Sequence, residues 1–304
     1  MVAVGASLSF SPETKCCTFT PGLANFLIGA ILEAGGDGAR TVRDRVSRGE
    51  GVSPLGLGAG TDPAGPDTFG RDLARKCPHL TSGGCSIWFA REATCSTWFC
   101  KHDRGALGKS LWNRVEQLLH AADRALALRV AIDLGIPAPG LAMDLPLVER
   151  GRARHDWILQ RGLDAAAVWG PWEERIEPFF RAALARAKLT SFDDLMAAGG
   201  SELAALREVA VALLVAHGDR TLPPRIRLGH LRVVEVLEDA VRVQSYSMFD
   251  PLLIPKKLFE VLRFFDGRPT AEAIERAGEA AGEPVPPGAL RMLVDHEILH
   301  PATD

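Results

Sequence analysis

Residues 76–105 read KCPHLTSGGCSIWFAREATCSTWFCKHDRG, and they place Cys77, Cys85, Cys95 and Cys100 beside two histidines and four bulky aromatics. The remaining two of the six cysteines, Cys16 and Cys17, are adjacent and lie far upstream. Thiolate sulfur is a soft ligand that suits zinc, copper(I) and iron–sulfur clusters, and four thiolates close a tetrahedral zinc site or hold a cluster. Two other uses of cysteine compete with this one: disulfide staples, and small buried apolar residues. The cysteines sit in polar, glycine-containing loops rather than on apolar faces, which favours ligation. None of the gaps after Cys77 is the two-residue knuckle of a zinc ribbon. The turn Thr81-Ser82-Gly83-Gly84 brings Cys85 back toward Cys77. Cys95 and Cys100 are five apart, so on one helix they would point about 140° from each other. His79 and His102 each stand two residues after a cysteine, as ligands, as hydrogen-bond donors around the ligands, or as ordinary loop histidines. Trp88, Phe89, Trp98 and Phe99 supply either a dry shell for a cluster or plain packing. Arg91 is placed to pair with Glu116, Asp103 or an anionic substrate, with a surface ion pair as the alternative.

At 304 residues the chain suits two or three domains and buries a core without staples. The first fifteen residues carry no basic start followed by an apolar segment and a small-residue cleavage site, so no secretory signal is expected. No apolar run approaches the ~20 residues of a membrane helix. The expectation is a cytoplasmic protein with reduced thiols, no membrane contact and no disulfide framework. A formal net charge of −3 leaves no basic footprint for nucleic acid.

The elements that must position the cysteines read as mainly α. Leu23, Phe26, Leu27, Ala30, Ile31 and Ala34 recur at helical spacing and stop at Gly35-Gly36, so the Cys16-Cys17 pair precedes a helix. A second helix covers Ala39 to Arg48. The loop after it contains Gly56-x-Gly58-x-Gly60, a weak phosphate-loop match with no preceding strand and no Lys-Ser or Lys-Thr. Gly108 to Leu134 is the clearest helix, with an apolar stripe through Leu111, Val115, Leu118, Leu119, Ala122, Leu126 and Val130. Further helices are expected at 145–160, 171–188, 191–198 and 201–217, with Trp157, Trp169 and Trp172 as packing residues. Glu173, Glu174 and Glu177 read as acids favoured by a helix N-terminus rather than as a carboxylate site. From Arg227 the period changes to two, and a β-hairpin turns at Glu238-Asp239. A helix at Pro255–Phe265, a turn at Asp266-Gly267-Arg268, a helix opened by Thr270 and one running through Val294 follow, before the apolar Ile298-Leu299. The expected organisation is a cysteine-rich metal or iron–sulfur domain over 1–106, a helical domain over 107–225 and an α+β winged-helix-like module over 226–304.

Two resemblances extend this reading. Cys16-Cys17, then Cys77-Pro78-His79-Leu80, then Cys85-Ser86-Ile87-Trp88 with Arg91 and Cys95, closed by Trp98-Phe99-Cys100, resemble the YkgJ-like zinc- or iron-chelating family over about 90 residues. The cysteine that usually precedes the pair is replaced by Glu13-Thr14-Lys15, and Glu92 stands where the family has proline, which loosens the turn. Flagellin lysine N-methylases are similar in their cysteine set and carry an iron–sulfur cluster. The resemblance implies that Cys16, Cys17, Cys77, Cys85, Cys95 and Cys100 are the metal and cofactor ligands, with a four-iron–four-sulfur cluster as cofactor and zinc as the alternative. The segments PLLIPKKLFEVLRFFDGRPTAEAIERAG and ALRMLVDHEILH resemble PqqD-like peptide-chaperone domains, which implies a peptide or protein partner for residues 226–304. The expected function is a metal-dependent modifying enzyme or redox component acting on that partner, the rival being a non-enzymatic, zinc-stabilised adaptor or regulator. No catalytic residue is assigned. DNA binding is the weakest reading, since PGALRMLVDHE carries one arginine against two acids.

Overall fold

The computed structural model describes residues 10–49, 51–59, 68–142 and 164–302. Helix dominates and the strands are short and antiparallel. Among the described residues no helix is long and apolar enough to cross a membrane. The chain forms two compact units: one comprises the described residues of 9–97 and 116–207, the other those of 98–115 and 208–304.

The cysteine-bearing unit begins with strand β1 (Leu23–Ala24), helix α1 (Asn25–Ala34) and helix α2 (Gly36–Ser47). Strands β2 (Val52–Ser53) and β3 (Gly56–Leu57) join β1 in a small sheet of order β1-β3-β2. Periodicity gives no sign of two-residue strands, because they are too short to show a pattern. Gly56 has φ +144 and pairs with Ala24, and a Cβ there would fall within 2.0 Å of the Leu23 carbonyl oxygen. That close approach is why glycine stands at this position; Gly60 lies outside the described residues. Buried Asn25 donates from its Nδ2 to the carbonyls of Pro54 and Ala127, each at 3.0 Å, so one amide holds a loop and a helix together.

The hairpin of β4 (Leu80–Thr81) and β5 (Gly84–Cys85) carries Cys85, the short helix α3 (Ala93–Thr97) carries Cys95, and Cys77 stands just before the hairpin. Helix α4 runs over Gly105–Asp133; Leu111 and Val130 of the expected stripe are buried, and Leu119 is exposed. Helices α5 (Ala138–Leu141), α6 (Ala165–Trp169), α7 (Ile176–Ala187) and α8 (Phe192–Gly218) follow. The expected helix at 145–160, Trp157 included, lies outside the described residues. The two helices expected at 191–198 and 201–217 form one element kinked at Gly200, whose φ is +57. The core of this unit gathers Leu23, Ile28, Ile31, Leu57, Ile87 and Phe179. Trp169 packs edge-on against Phe179 and Phe180, and Trp172 donates its indole N–H to the Leu134 carbonyl at 2.8 Å. Glu177, in the first turn of α7, pairs with Arg43 and Arg181, which hold its carboxyl down to about 2.

In the second unit, strands β6 (Arg225–Leu228), β7 (Arg232–Val236), β8 (Ala240–Gln244), β9 (Leu252–Pro255), β10 (Asp266–Pro269) and β11 (Leu299–Pro301) alternate with helices α9 (Lys256–Val261), α10 (Thr270–Ala281) and α11 (Pro287–Asp295). Two sheets result, ordered β7-β8-β9 and β10-β6-β11. The hairpin expected around Glu238-Asp239 is present, with Val236 opposite Val241. The residues expected as a turn at Asp266-Gly267-Arg268 lie in β10, paired with β6 through Asp266↔Arg227 and Pro269↔Arg225. Their turn chemistry is real: the Arg268 guanidinium folds back onto the Asp266 carboxylate. Pairing with β6 overrides it, and the cost is an irregular register between Asp266 and Pro269. Ile226, Val243, Ile254, Phe265, Leu290 and Leu293 form the core.

Arg104, at φ +64, sits just before α4 with its side chain 1% exposed. Its guanidinium donates to both carboxylate oxygens of Asp295, at 2.6 and 2.9 Å, and to the carbonyls of His217 and Asp219, at 2.5 and 2.8 Å. Asp295 also accepts from Arg291. Burial alone would raise the Asp295 carboxyl; Arg104 and Arg291 outweigh it, and the pKa falls below the ordinary value.

Candidate metal centre

The β4–β5 hairpin is built as its turn residues require. Leu80 faces Cys85 and Thr81 faces Gly84, and the Thr81 hydroxyl donates to the Gly84 carbonyl at 2.9 Å. Immediately after it, Ile87 is 1% exposed and anchors the hairpin in the unit's core. Helix α2 admits that anchor at Gly38, where a Cβ would come within 2.8 Å of Ile87 Cγ2 and 3.0 Å of the Ser86 carbonyl oxygen.

Cys77 is buried at the hairpin's entrance. Its backbone N–H donates to the Cys17 carbonyl at 2.9 Å, which ties the upstream pair to the hairpin across sixty residues of sequence. The loop carrying that pair is also clamped at Gly70, which accepts from the Thr14 hydroxyl at 2.7 Å and donates to the Thr18 hydroxyl at 2.9 Å. Burial raises the Cys77 thiol, and the nearby backbone of His79 and Leu80 opposes it only in part; the Leu80 N–H donates to the Cys77 carbonyl at 2.9 Å and closes the turn.

Cys95 lies in α3, and Glu92 holds that helix start. One Glu92 oxygen accepts from the Thr94 N–H and the other from the Cys95 N–H, each at 2.9 Å. Glu92 therefore tightens the turn instead of loosening it, because its carboxylate satisfies donors that open a helix. The Thr94 hydroxyl donates to Glu116 at 2.7 Å and lies 3.1 Å from His120 Nε2. His120, beside Thr94, went unremarked in the sequence, where its i, i+4 spacing from Glu116 was the available signal.

Cys17, Cys77, Cys85 and Cys95 come together electrostatically. Cys17 is held up first by its bond to the Cys16 thiol and by burial, then by the charges of Cys16, Cys77 and Cys95. Cys95 is held up by burial, then by Glu92, Cys77 and Cys85. Cys77 feels Cys85 in turn. Ionising any one of these thiols hinders its neighbours, and a bound cation relieves that repulsion. Among the described residues no three His, Cys, Asp or Glu side chains stand in a ready-made coordination group. Cys16 is exposed, and the hydrogen bond it accepts from the Cys17 thiol draws it down to about 6. Cys100 falls in the other unit, after the end of α3 at Thr97.

His79 is 0% exposed, and neither ring nitrogen has a hydrogen-bond partner. Burial and the charge of Arg45 push its pKa to about 4, so the ring is neutral near pH 7. The aromatics do not form a shell. Trp88 is 65% and Phe89 62% exposed, while Ile87 and Ala90 between and beside them are buried. Trp98 and Phe99 belong to the other unit, where they meet Phe249 and Trp112 edge-on. Arg91 lies over the Trp88 ring at 3.4 Å and donates to the Cys95 carbonyl at 3.2 Å, rather than pairing with Glu116 or Asp103. His102 lies beside Tyr246 in the second unit.

No protein-family model matches this chain, and neither does any curated protein or solved structure.

Proposed function

We propose that this chain binds a metal ion or iron–sulfur cluster and acts on a peptide or protein partner as a modifying enzyme or redox component. The observation that carries the reading is the tie of the upstream pair to the hairpin: the Cys77 N–H donates to the Cys17 carbonyl at 2.9 Å, and the hairpin that follows turns back to set Cys85 opposite Leu80. Cys77, Cys85 and Cys95 supply the sulfur face of the centre, with Cys17 within reach of it. Ile87 fixes the hairpin, Glu92 fixes the amide of Cys95, and the burial of Cys77 strengthens each electrostatic interaction there. A cluster bound here supplies one-electron transfer; zinc supplies Lewis acidity or structural closure. The deep burial of Cys77 favours a second reading, a zinc clip that stabilises an adaptor.

The second unit is the partner-binding part in this proposal, as a PqqD-like winged module. Strand β7 is an edge of its sheet, and Val236 is 63% exposed on it. An extended peptide added to such an edge gains main-chain hydrogen bonds. Amide-exchange protection of residues 232–236 by bound peptide supports this; binding of duplex DNA without peptide overturns it.

Protein purified without oxygen tests the centre. Iron with sulfide supports the cluster, and stoichiometric zinc supports the clip. Cys85→Ser should lose the bound metal, and full retention of metal by that variant removes the assignment.

A further inference from the structure

We infer that His79 is a ligand of this metal centre, so that the centre is a mixed nitrogen–sulfur site completed by Cys77, Cys85 and Cys95 rather than an all-thiolate one. The inference rests on the reading of these cysteines as metal ligands and names the fourth donor. Its first support is the position of the His79 backbone. It lies in the turn that the Leu80 N–H closes on the Cys77 carbonyl at 2.9 Å, and its own carbonyl accepts from the N–H of Ser86, the residue after Cys85, at 2.8 Å. His79 is thus pinned between two of the proposed ligands.

The second support is the ring itself. It is fully buried, and both Nδ1 and Nε2 lack partners. A buried polar group without a hydrogen bond costs on the order of 1–3 kcal/mol, so nearly all such groups in native proteins have a partner. A metal ion supplies one: imidazole nitrogen is a common ligand, and three cysteines with one histidine make a known closed zinc set. The Ser86 hydroxyl is likewise buried without a partner, and its backbone is bonded to that of His79. A hydrogen bond to the nitrogen that the metal leaves over is the usual arrangement for a metal-bound histidine, and this hydroxyl is a buried group with that capacity unspent.

The third support is the contrast with the other candidate for the fourth position. The Cys17 thiol is engaged with that of Cys16, and Cys16 is exposed, whereas the His79 ring is fully buried and has no partner. His79 therefore completes the site.

The test uses the full chain labelled with 15N-histidine. One sample is reconstituted anaerobically with ferrous iron and sulfide and read by pulsed electron paramagnetic resonance after reduction. A second is loaded with zinc ion alone and read by X-ray absorption. The expected result is a directly bound histidine nitrogen in the iron sample, and three sulfurs with one nitrogen around zinc. His79→Cys should keep the metal and lose the nitrogen signal, which separates loss of the ligand from loss of the fold. Cys17→Ser should keep both. Metal bound by four sulfurs with no histidine nitrogen, and lost on Cys17→Ser, overturns this inference and leaves the cysteine site standing. Failure of both samples to take up metal overturns the site and the inference together.

Discussion

Arg104 and His79 are both buried polar side chains, one in each unit, and they meet the cost of burial in opposite ways. Arg104 spends its donors on Asp295 and on two carbonyls. His79 has no partner for either nitrogen. A buried charge whose geometry is complete needs nothing from outside the chain, and its function is to hold α4's start against α11. A buried imidazole without partners is incomplete, and the chain gains by binding something there. The difference separates structural polarity from polarity kept for a ligand, which burial alone does not do.

The largest expected effect is on the complete network. Asp295→Ala strands the Arg104 charge and should cost about 3–5 kcal/mol in chemical denaturation of the second unit. A loss below about 1 kcal/mol would mean that solvent reaches Arg104 and that the contrast with His79 is false. Metal acts on the other side of the comparison. At a free concentration ~1,000-fold above its dissociation constant it should add about 4 kcal/mol to the cysteine-bearing unit. Amide exchange should slow at residues 77–96 and stay unchanged at 290–299, and a chelator should reverse this.

His79→Leu sharpens the contrast further. Without metal it should be neutral or stabilise by up to about 2 kcal/mol, since it removes unpaired polar atoms from an apolar site. With metal present it should lose the stabilisation described above. If the metal-free variant is clearly less stable than wild type, the imidazole has a protein partner in solution.

Acidity distinguishes the units in a further way. Asp295 has a lowered pKa, so its contribution is fully present above the unfolded carboxyl value of about 3.9 and disappears as pH falls through the lower folded value. Acid titration of stability should show this loss, and Asp295→Asn should flatten it. The smallest effect belongs to Trp88→Ala. At 65% exposure it should change stability by no more than about 0.5 kcal/mol, whereas Trp169→Ala, at 4% exposure, should cost about 3–5 kcal/mol. A large loss at Trp88 would show that its ring is covered in solution.

Much of the scaffold could be read from the chain alone. The stripe from Leu111 to Val130 is a long helix because its period keeps one face apolar, and the alternation from Arg232 to Gln244 is a hairpin because period two keeps one face of a sheet apolar. The return of Cys85 toward Cys77 was legible in Thr81-Ser82-Gly83-Gly84, where glycines permit the turn. These are local properties, settled by spacing and backbone freedom. The folded chain decided the rest. Pairing with Arg225–Leu228 drew Asp266–Pro269 into a strand despite its turn chemistry, and the bond from the Cys77 amide to the Cys17 carbonyl joined two distant segments. The fate of aromatic and polar side chains was also beyond local pattern. Whether Trp88 faces water, or whether His79 lies buried without a partner, depends on which surfaces distant segments cover, and that is fixed only when the whole core packs.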